Sequence, residues 1–369
     1  MLADAKRIVI KIGSSLIIDE ANEPRRAWLQ SLAEDIAALK RDGREVIVVT
    51  SGAVALGRRP MGYGRRALAL EEKQAAAACG QITLFSLWEE ALRPVALAAA
   101  QMLLTADDSI HRRRYLNARN TLDTLLENKT IVPIVNENDT VATAELRFGD
   151  NDRLAARLAQ MAGADMLVLF SDIDGLYNAN PATHPEAQFI AEVREITPQI
   201  ERMAGGAASS VASGGMITKL AAAKIALGAG CHMLIACGTL PHPLRALREG
   251  GACTRFIAPE SPLSARKHWI AGSLHPAGSI TVDDGAARAL RSGKSLLPAG
   301  VIALEGRFDR GDAVLIKSAD GAIIGKGLIA YAAEDAQRIL GKKSGEIEQI
   351  LSFKRKDVLI HRDDLALDG

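Results

Sequence analysis

Arg7-Ile8-Val9-Ile10-Lys11-Ile12-Gly13-Ser14-Ser15 decides how the rest of the chain is read. From Arg7 to Lys11 it is a short β-branched run without polar alternation, and it breaks into glycine and two hydroxyls. A strand apolar at successive positions is expected to be covered on both faces, as in a parallel sheet lined by helices. The same pattern returns at Val46 to Thr50, Ile131 to Val135, Met166 to Phe170 and Cys231 to Ala236. Between the first two runs, Leu29, Leu32, Ile36 and Leu39 fall on one helical face and Gly43 supplies a stop, so this segment reads as a crossover helix. Strands alternating with alanine- and leucine-rich amphipathic stretches through about residue 255 predict an α/β domain, a three-layer sandwich around a mainly parallel sheet.

Beyond it, residues 256–278 lose periodicity and gain Pro259, Pro262 and Pro276, which reads as a linker. A second unit is expected over 279–355. It holds a helix at Asp284 to Arg291 and short strands near Gly300 to Leu304, Ala313 to Ser318 and Ala322 to Ile329, parted by Asp309-Arg310-Gly311-Asp312 and Ala319-Asp320-Gly321 turns, the pattern of a small β-barrel-like domain. Residues 356–369 read as a C-terminal tail.

The 369 residues carry 45 lysines and arginines against 44 acids. A net charge of +1 creates no global field for nucleic acid, membrane or acidic substrates, so any anion must be captured by local geometry. The four cysteines lack the spacing of a disulfide framework or zinc knuckle, and the first residues lack the pattern of a signal peptide. The expectation is a soluble protein of a reducing cytoplasm, without a membrane partner and without a protein-bound transition metal.

The strand ends carry the chemistry. After Lys11, Gly13 lets the backbone approach phosphate oxygens, Ser14 adds donors, and the ammonium can neutralise charge on a transferring phosphoryl group. Alone, this reads equally well as a solvated lysine before a turn. Thr50-Ser51-Gly52-Ala53 offers small residues that either turn tightly or admit a substrate. Asn136-Glu137-Asn138-Asp139 is a denser polar cluster, in which Asp139 suits the α-ammonium of an amino acid and asparagines such as Asn136 its neutral hydrogen bonds. Gly149-Asp150-Asn151-Asp152 opens a helix with Leu154, Leu158 and Met161 on one face, where Asn and Asp serve as caps or hold nearby lysines. Ser171 and Asp172 end another strand, where they could read a base or ribose. Ser213-Gly214-Gly215-Met216-Ile217-Thr218-Lys219 places paired glycines, a hydroxyl and a lysine at a helix start, a phosphate cradle or a flexible loop. No serine, histidine and acid combination stands out, and Gly-X-Ser-X-Gly is missing from the strand-to-helix turns.

Taken in order, Ile134 to Asp139, Phe148 to Asp152, Ser171 to Tyr177 and Ser213 to Lys219 resemble the amino acid kinase family, in particular its members that phosphorylate the side chain of glutamate for proline synthesis. Residues from about Ser279 to Phe353 resemble a PUA domain, an appendage that sets those members apart from kinases of acetylglutamate or aspartate. The resemblance implies ATP at Lys11, Gly13, Ser14, Ser171, Asp172, Ser213, Gly214, Gly215, Met216, Ile217, Thr218 and Lys219. It implies L-glutamate at Ser51, Gly52, Asn136, Asp139 and Asn151, with Lys11 and Lys219 as transition-state stabilisers and Asp152 as their organiser. Mg2+ is expected on the ATP phosphates, with no protein ligand assigned. It further implies a homo-oligomer, dimer or tetramer, inhibited by proline and functionally associated with glutamyl phosphate reductase. RNA is the weaker expectation for the PUA-like part, because acids and bases balance from Thr281 to Gly369.

Overall fold

The computed structural model describes residues 2–142, 151–204, 215–273, 275–353 and 356–367. The chain divides into two compact units, Met1–Pro262 and Leu263–Gly369. In the first, the strands are β1 (Arg7–Ile12), β2 (Glu45–Val49), β3 (Ala98–Leu104), β4 (Ile131–Glu137), β5 (Met166–Ser171), β6 (Leu176–Tyr177), β7 (Phe189–Ile190), β8 (Glu192–Val193), β9 (His232–Cys237) and β10 (Cys253–Phe256). Eight of them form one sheet in the order β3-β4-β2-β1-β5-β9-β10-β8. Neighbours run parallel except at β9 and β10, which are antiparallel.

The unbroken apolar runs are divided between two cores by the two-residue period of a strand. Ile8, Ile10, Val46, Val48, Val168 and Phe170 enter one core with the Arg26–Arg41 and Leu70–Leu92 helices, whose Leu29, Leu32, Ile36, Leu84 and Trp88 are buried there. Val9, Ile47, Val49, Leu167 and Leu169 enter the other, under the Arg112–Glu127, Asn151–Ala162 and Met216–Gly228 helices. The crossover helix lies where its spacing placed it, and Gly43 ends it with φ +78°. The sheet and its two helical layers are the three-layer sandwich expected.

Two glycines seat the Ala53–Arg58 helix against Leu70–Leu92. A Cβ at Gly57 would come within 1.7 Å of the Ala76 carbonyl oxygen, and one at Gly80 within 1.8 Å of the Ala53 carbonyl oxygen. No residue with a side chain fits at either point.

In the second unit β11 (Gly278–Val282), β12 (Val301–Gly306), β13 (Ala313–Lys317), β14 (Ile323–Leu328) and β15 (Leu365–Leu367) pair in the order β12-β11-β13-β14-β15. Only β11 and β13 are parallel. The Asp284–Arg291 helix is capped by Asp283, whose carboxylate accepts from the Ala286 amide at 2.6 Å. Ile280, Leu290, Val314, Ile316, Tyr331 and Ile360 are buried at its centre. Two segments differ from the reading of the sequence. Residues 256–278, taken as a linker, contain a helix, Pro262–Ser273, whose first residue is a proline that is tolerated at a helix start. Residues 356–369, taken as a tail, supply β15, which pairs with Gly325–Gly327 and is too short to show a period. Asp364 anchors that end by accepting from Arg266 Nε at 2.9 Å.

Candidate active site

In a parallel sheet the carboxyl ends of the strands share one edge, and ligands collect where the strand order reverses. Here the reversal is at β1, with β2 and β4 on one side and β5 and β9 on the other. Lys11 is in register with Val49 on one side and Leu169 on the other. The order therefore sorts the polar strand ends: Thr50 to Gly52 and Asn136 to Asp139 to one side of Lys11, Ser171 and Asp172 to the other. The Asn151–Ala162 helix starts between these groups and presents two adjacent side chains of different chemistry.

The first, Asp152, has no solvent exposure. Its Oδ1 lies 2.6 Å from Lys11 Nζ and its Oδ2 3.3 Å from Lys219 Nζ. The Thr218 hydroxyl is 2.9 Å from Asp152 Oδ2 and 2.7 Å from the Gly215 carbonyl oxygen. Burial pushes the Asp152 carboxyl up, but the two ammonium groups and the hydrogen bonds from Lys11 and Thr218 outweigh it and hold the group below its ordinary value. Lys11 and Lys219 are themselves buried, so among the described residues this cluster brings together two cations and one anion shielded from water. That excess of one positive charge is suited to a polyanion.

The second, Asn151, has only uncharged partners among the described residues: its Nδ2 lies 2.5 Å from the Thr50 carbonyl oxygen, 2.8 Å from Ser51 Oγ and 2.9 Å from Asn136 Oδ1. Asn136 in turn donates through Nδ2 to Gln81 Oε1 at 2.8 Å. Trp88, fully buried, donates to Thr50 Oγ1 at 3.0 Å and so braces the same turn. Gly52, which follows, has φ +109° and starts the Ala53–Arg58 helix; that left-handed conformation is the reason the position takes glycine.

Of the residues expected at ATP, Lys11, Thr218 and Lys219 converge on Asp152. Gly215 caps the Met216–Gly228 helix, on which Met216 is partly buried and Ile217 is exposed. Gly13 opens the Ser14–Ile17 turn, with Ser14 exposed, and the Ser171 hydroxyl donates to Asp172 Oδ1 at 2.9 Å. Ser213 and Gly214, with Phe148 to Asp150, lie outside the described residues. Of those expected at glutamate, Ser51, Asn136 and Asn151 are joined by hydrogen bonds. Asp139 lines a cavity of about 460 Å³ with Gln81, Phe85, Gln101 and Glu137. Thr50 lies in the small-residue turn already read as a possible substrate entry, whereas Gln81 and Trp88 carry no such signal in the sequence. They come from a helix of weak amphipathicity, and no local spacing connects them to Asn151.

A buried pair of lysines meeting one aspartate at the switch point of this sandwich defines a class. Residues 6–237 match the model of the amino acid kinase family and residues 278–351 that of the PUA domain, and the chain belongs to the amino acid kinase family. It is a kinase. Among curated relatives, it is 58% identical to glutamate 5-kinase of Paramagnetospirillum magneticum over 100% of this chain and 99% of that one. It is 56% identical to glutamate 5-kinase of Rhodopseudomonas palustris over 99% of this chain and 97% of the relative. Among solved structures, UMP kinase from Ureaplasma parvum aligns with a TM-score of 0.47 at 17% identity, covering 68% of this chain and 98% of that one.

Proposed function

We propose that this chain transfers the γ-phosphoryl group of ATP to the side-chain carboxylate of L-glutamate, giving γ-glutamyl phosphate and ADP, the first step of proline biosynthesis. The observation that carries the reading is Asp152 buried between Lys11 and Lys219, beside an uncharged amide cluster that suits an amino acid. A glutamate side chain, with an ordinary pKa of about 4.3, is already ionised at neutral pH, so its oxygen attacks the γ-phosphorus without a general base. The bond between that phosphorus and the bridging oxygen breaks, and ADP leaves with the electron pair. The barrier lies in bringing two anions together, and it is lowered by positioning and by positive charge.

In this reading Lys11 and Lys219 meet the phosphoryl oxygens, and Asp152 holds both ammonium groups in place without taking a proton. Gly13, Ser14, Ser171, Asp172 and the turn at Gly215 bind the nucleotide. Asp139 and the asparagines Asn136 and Asn151 receive the α-ammonium end of glutamate. Ser51, whose oxygen already faces the Asn151 amide, has its proton to give to a carboxylate. Mg2+ fits this arrangement as a companion of ATP. Among the described residues no group of three or more His, Cys, Asp or Glu could cage a metal, and Asp152 is committed to the lysines, so the ion would be held by the phosphates and waters. When bound it neutralises phosphate charge.

The likeness to glutamate 5-kinases supports three further proposals: a homo-oligomer, dimer or tetramer; inhibition by proline; and functional association with glutamyl phosphate reductase. A cytoplasmic location is proposed on the same ground, and no helix among the described residues is long and apolar enough to cross a membrane. Hydroxylamine traps acyl phosphates as hydroxamates. With MgATP the chain is expected to yield hydroxamate from L-glutamate, and far less from N-acetylglutamate or aspartate. Hydroxamate from one of those acceptors but none from glutamate defeats the proposal.

A further inference from the structure

Gln81 belongs to no phosphate or amino-acid motif. It stands in the Leu70–Leu92 helix, half-buried, with Leu84, Leu87 and Trp88 of the same helix fixed in the core. Its amide faces the cavity beside Asp139, and its Oε1 receives the Asn136 Nδ2 at 2.8 Å. Asn136 Oδ1 then receives Asn151 Nδ2 at 2.9 Å. Asn151 Nδ2 also meets the Thr50 carbonyl oxygen and Ser51 Oγ. A carboxamide has almost the same outline when its oxygen and nitrogen are exchanged, so shape alone does not orient a buried one. What orients it is the donor or acceptor it meets.

We propose that Gln81 is a positioning residue for the acceptor substrate: by accepting from Asn136 it holds the middle member of a three-amide chain whose polarity starts at the Thr50 carbonyl oxygen, and so keeps Asn151 turned with the same end toward glutamate. The inference rests on the reading of Asn151 as a glutamate ligand. If Asn136 were reversed, its NH2 would oppose the NH2 of Asn151, two donors at hydrogen-bond distance. Asn151 would then have to swing from Thr50 and Ser51 or lose a partner. In the observed orientation its N–H groups are spent on the strand ends, leaving Oδ1 as the acceptor for an α-ammonium. The nucleotide side is untouched by this chain, since Lys11, Lys219 and Thr218 are referred to Asp152.

Three single variants of the full chain separate polarity from charge and from packing. Ionised glutamate at position 81 can only accept, methionine has nearly the same shape but no useful acceptor, and lysine can only donate. Steady-state hydroxamate assays, varying glutamate and ATP in turn, are expected to rank KM for glutamate as Gln81→Glu, then Gln81→Met, then Gln81→Lys. The rises are under about threefold, about tenfold and more than tenfold, with KM for ATP within about twofold throughout. If position 81 acted through charge on an anionic substrate, Gln81→Lys would have the lowest KM for glutamate and Gln81→Glu the highest. That order overturns the proposal, as does a wild-type KM in Gln81→Met. The Glu and Lys variants alone fix the order, so loss of the Met variant to unfolding leaves the test intact. Hydroxamate from glutamate by the unaltered chain is the control that separates failure of this inference from failure of the functional reading.

Discussion

At the start of one helix, two consecutive residues are treated in opposite ways. Asp152 is fully buried between two ammonium groups, whereas its neighbour Asn151 meets a carbonyl, a hydroxyl and another amide. In the proposed reading, full charge is concentrated where charge moves during phosphoryl transfer, and there a preorganised ion cluster in a water-poor setting is worth most. In the same reading neutral amides stand where a small molecule has to be recognised by direction, and there an unmatched donor costs more than a matched one contributes. A buried ion cluster is also fragile. Its members were desolvated at a cost that their mutual attraction helps to offset, so removing one exposes the cost of the others.

This contrast can be broken most severely at Asp152. Asp152→Ala removes the carboxylate that two buried ammonium groups share and is expected to cost about 3–5 kcal/mol of stability, read by denaturant unfolding, with turnover lost as well. An Asp152→Asn enzyme of normal activity would show that the charge is dispensable. Next is Lys219→Ala, expected to lower kcat on the order of 10² or more with a smaller rise in KM for ATP, because the proposed role places its contribution in the transition state. Near-normal kcat would remove Lys219 from that role. On the amide side the effect should be smaller and fall on the other substrate. Asn136→Ala is expected to raise KM for glutamate about tenfold and leave KM for ATP nearly unchanged. Equal effects on both substrates would dissolve the division between the two halves.

The smallest expected effects concern the brace and the titration. Trp88→Phe keeps an aromatic ring but removes the donor to Thr50 Oγ1, and unfolding should report a loss of about 1 kcal/mol. Asp152 has a folded value below its ordinary 3.8, so its contribution to stability is complete above that pH and disappears as pH falls through the folded value. The stability gap between the unaltered chain and Asp152→Asn should therefore be flat from about pH 6 to 8 and shrink only below about pH 4. A gap that changes across neutral pH contradicts the assignment of a depressed carboxyl.

Much of the fold was legible because continuous apolar runs are short-range signals. Arg7 to Lys11 and Met166 to Phe170 announce strands covered on both sides, and the crossover helix shows its period at Leu29, Leu32, Ile36 and Leu39. Strand Ala98–Leu104 went unread, since it begins with three alanines, a residue that does not favour strands. The antiparallel turn from β9 into β10 likewise leaves no mark on composition. Within the site, Lys11, Asp152 and Lys219 could be named because each type has an evident use beside phosphate. Their pairing could not be read from spacing, as Lys219 and Asp152 are 67 residues apart. Gln81, 55 residues from Asn136, offered still less: an amide in an alanine-rich helix has no distinctive neighbour in sequence.

The contact of Gly57 and Gly80 bears on how such a protein can drift over generations. The acquisition of a single methyl group at Gly80 would lift the Leu70–Leu92 helix away from Ala53, carrying Gln81 and Trp88 with it, while every residue with a plausible chemical duty remained intact. A lineage could thus lose its grip on the acceptor through an ordinary Gly to Ala exchange that looks harmless in any inventory of reactive groups. A second change that shortened a facing side chain would offer no remedy, because the obstruction is the carbonyl of the backbone itself.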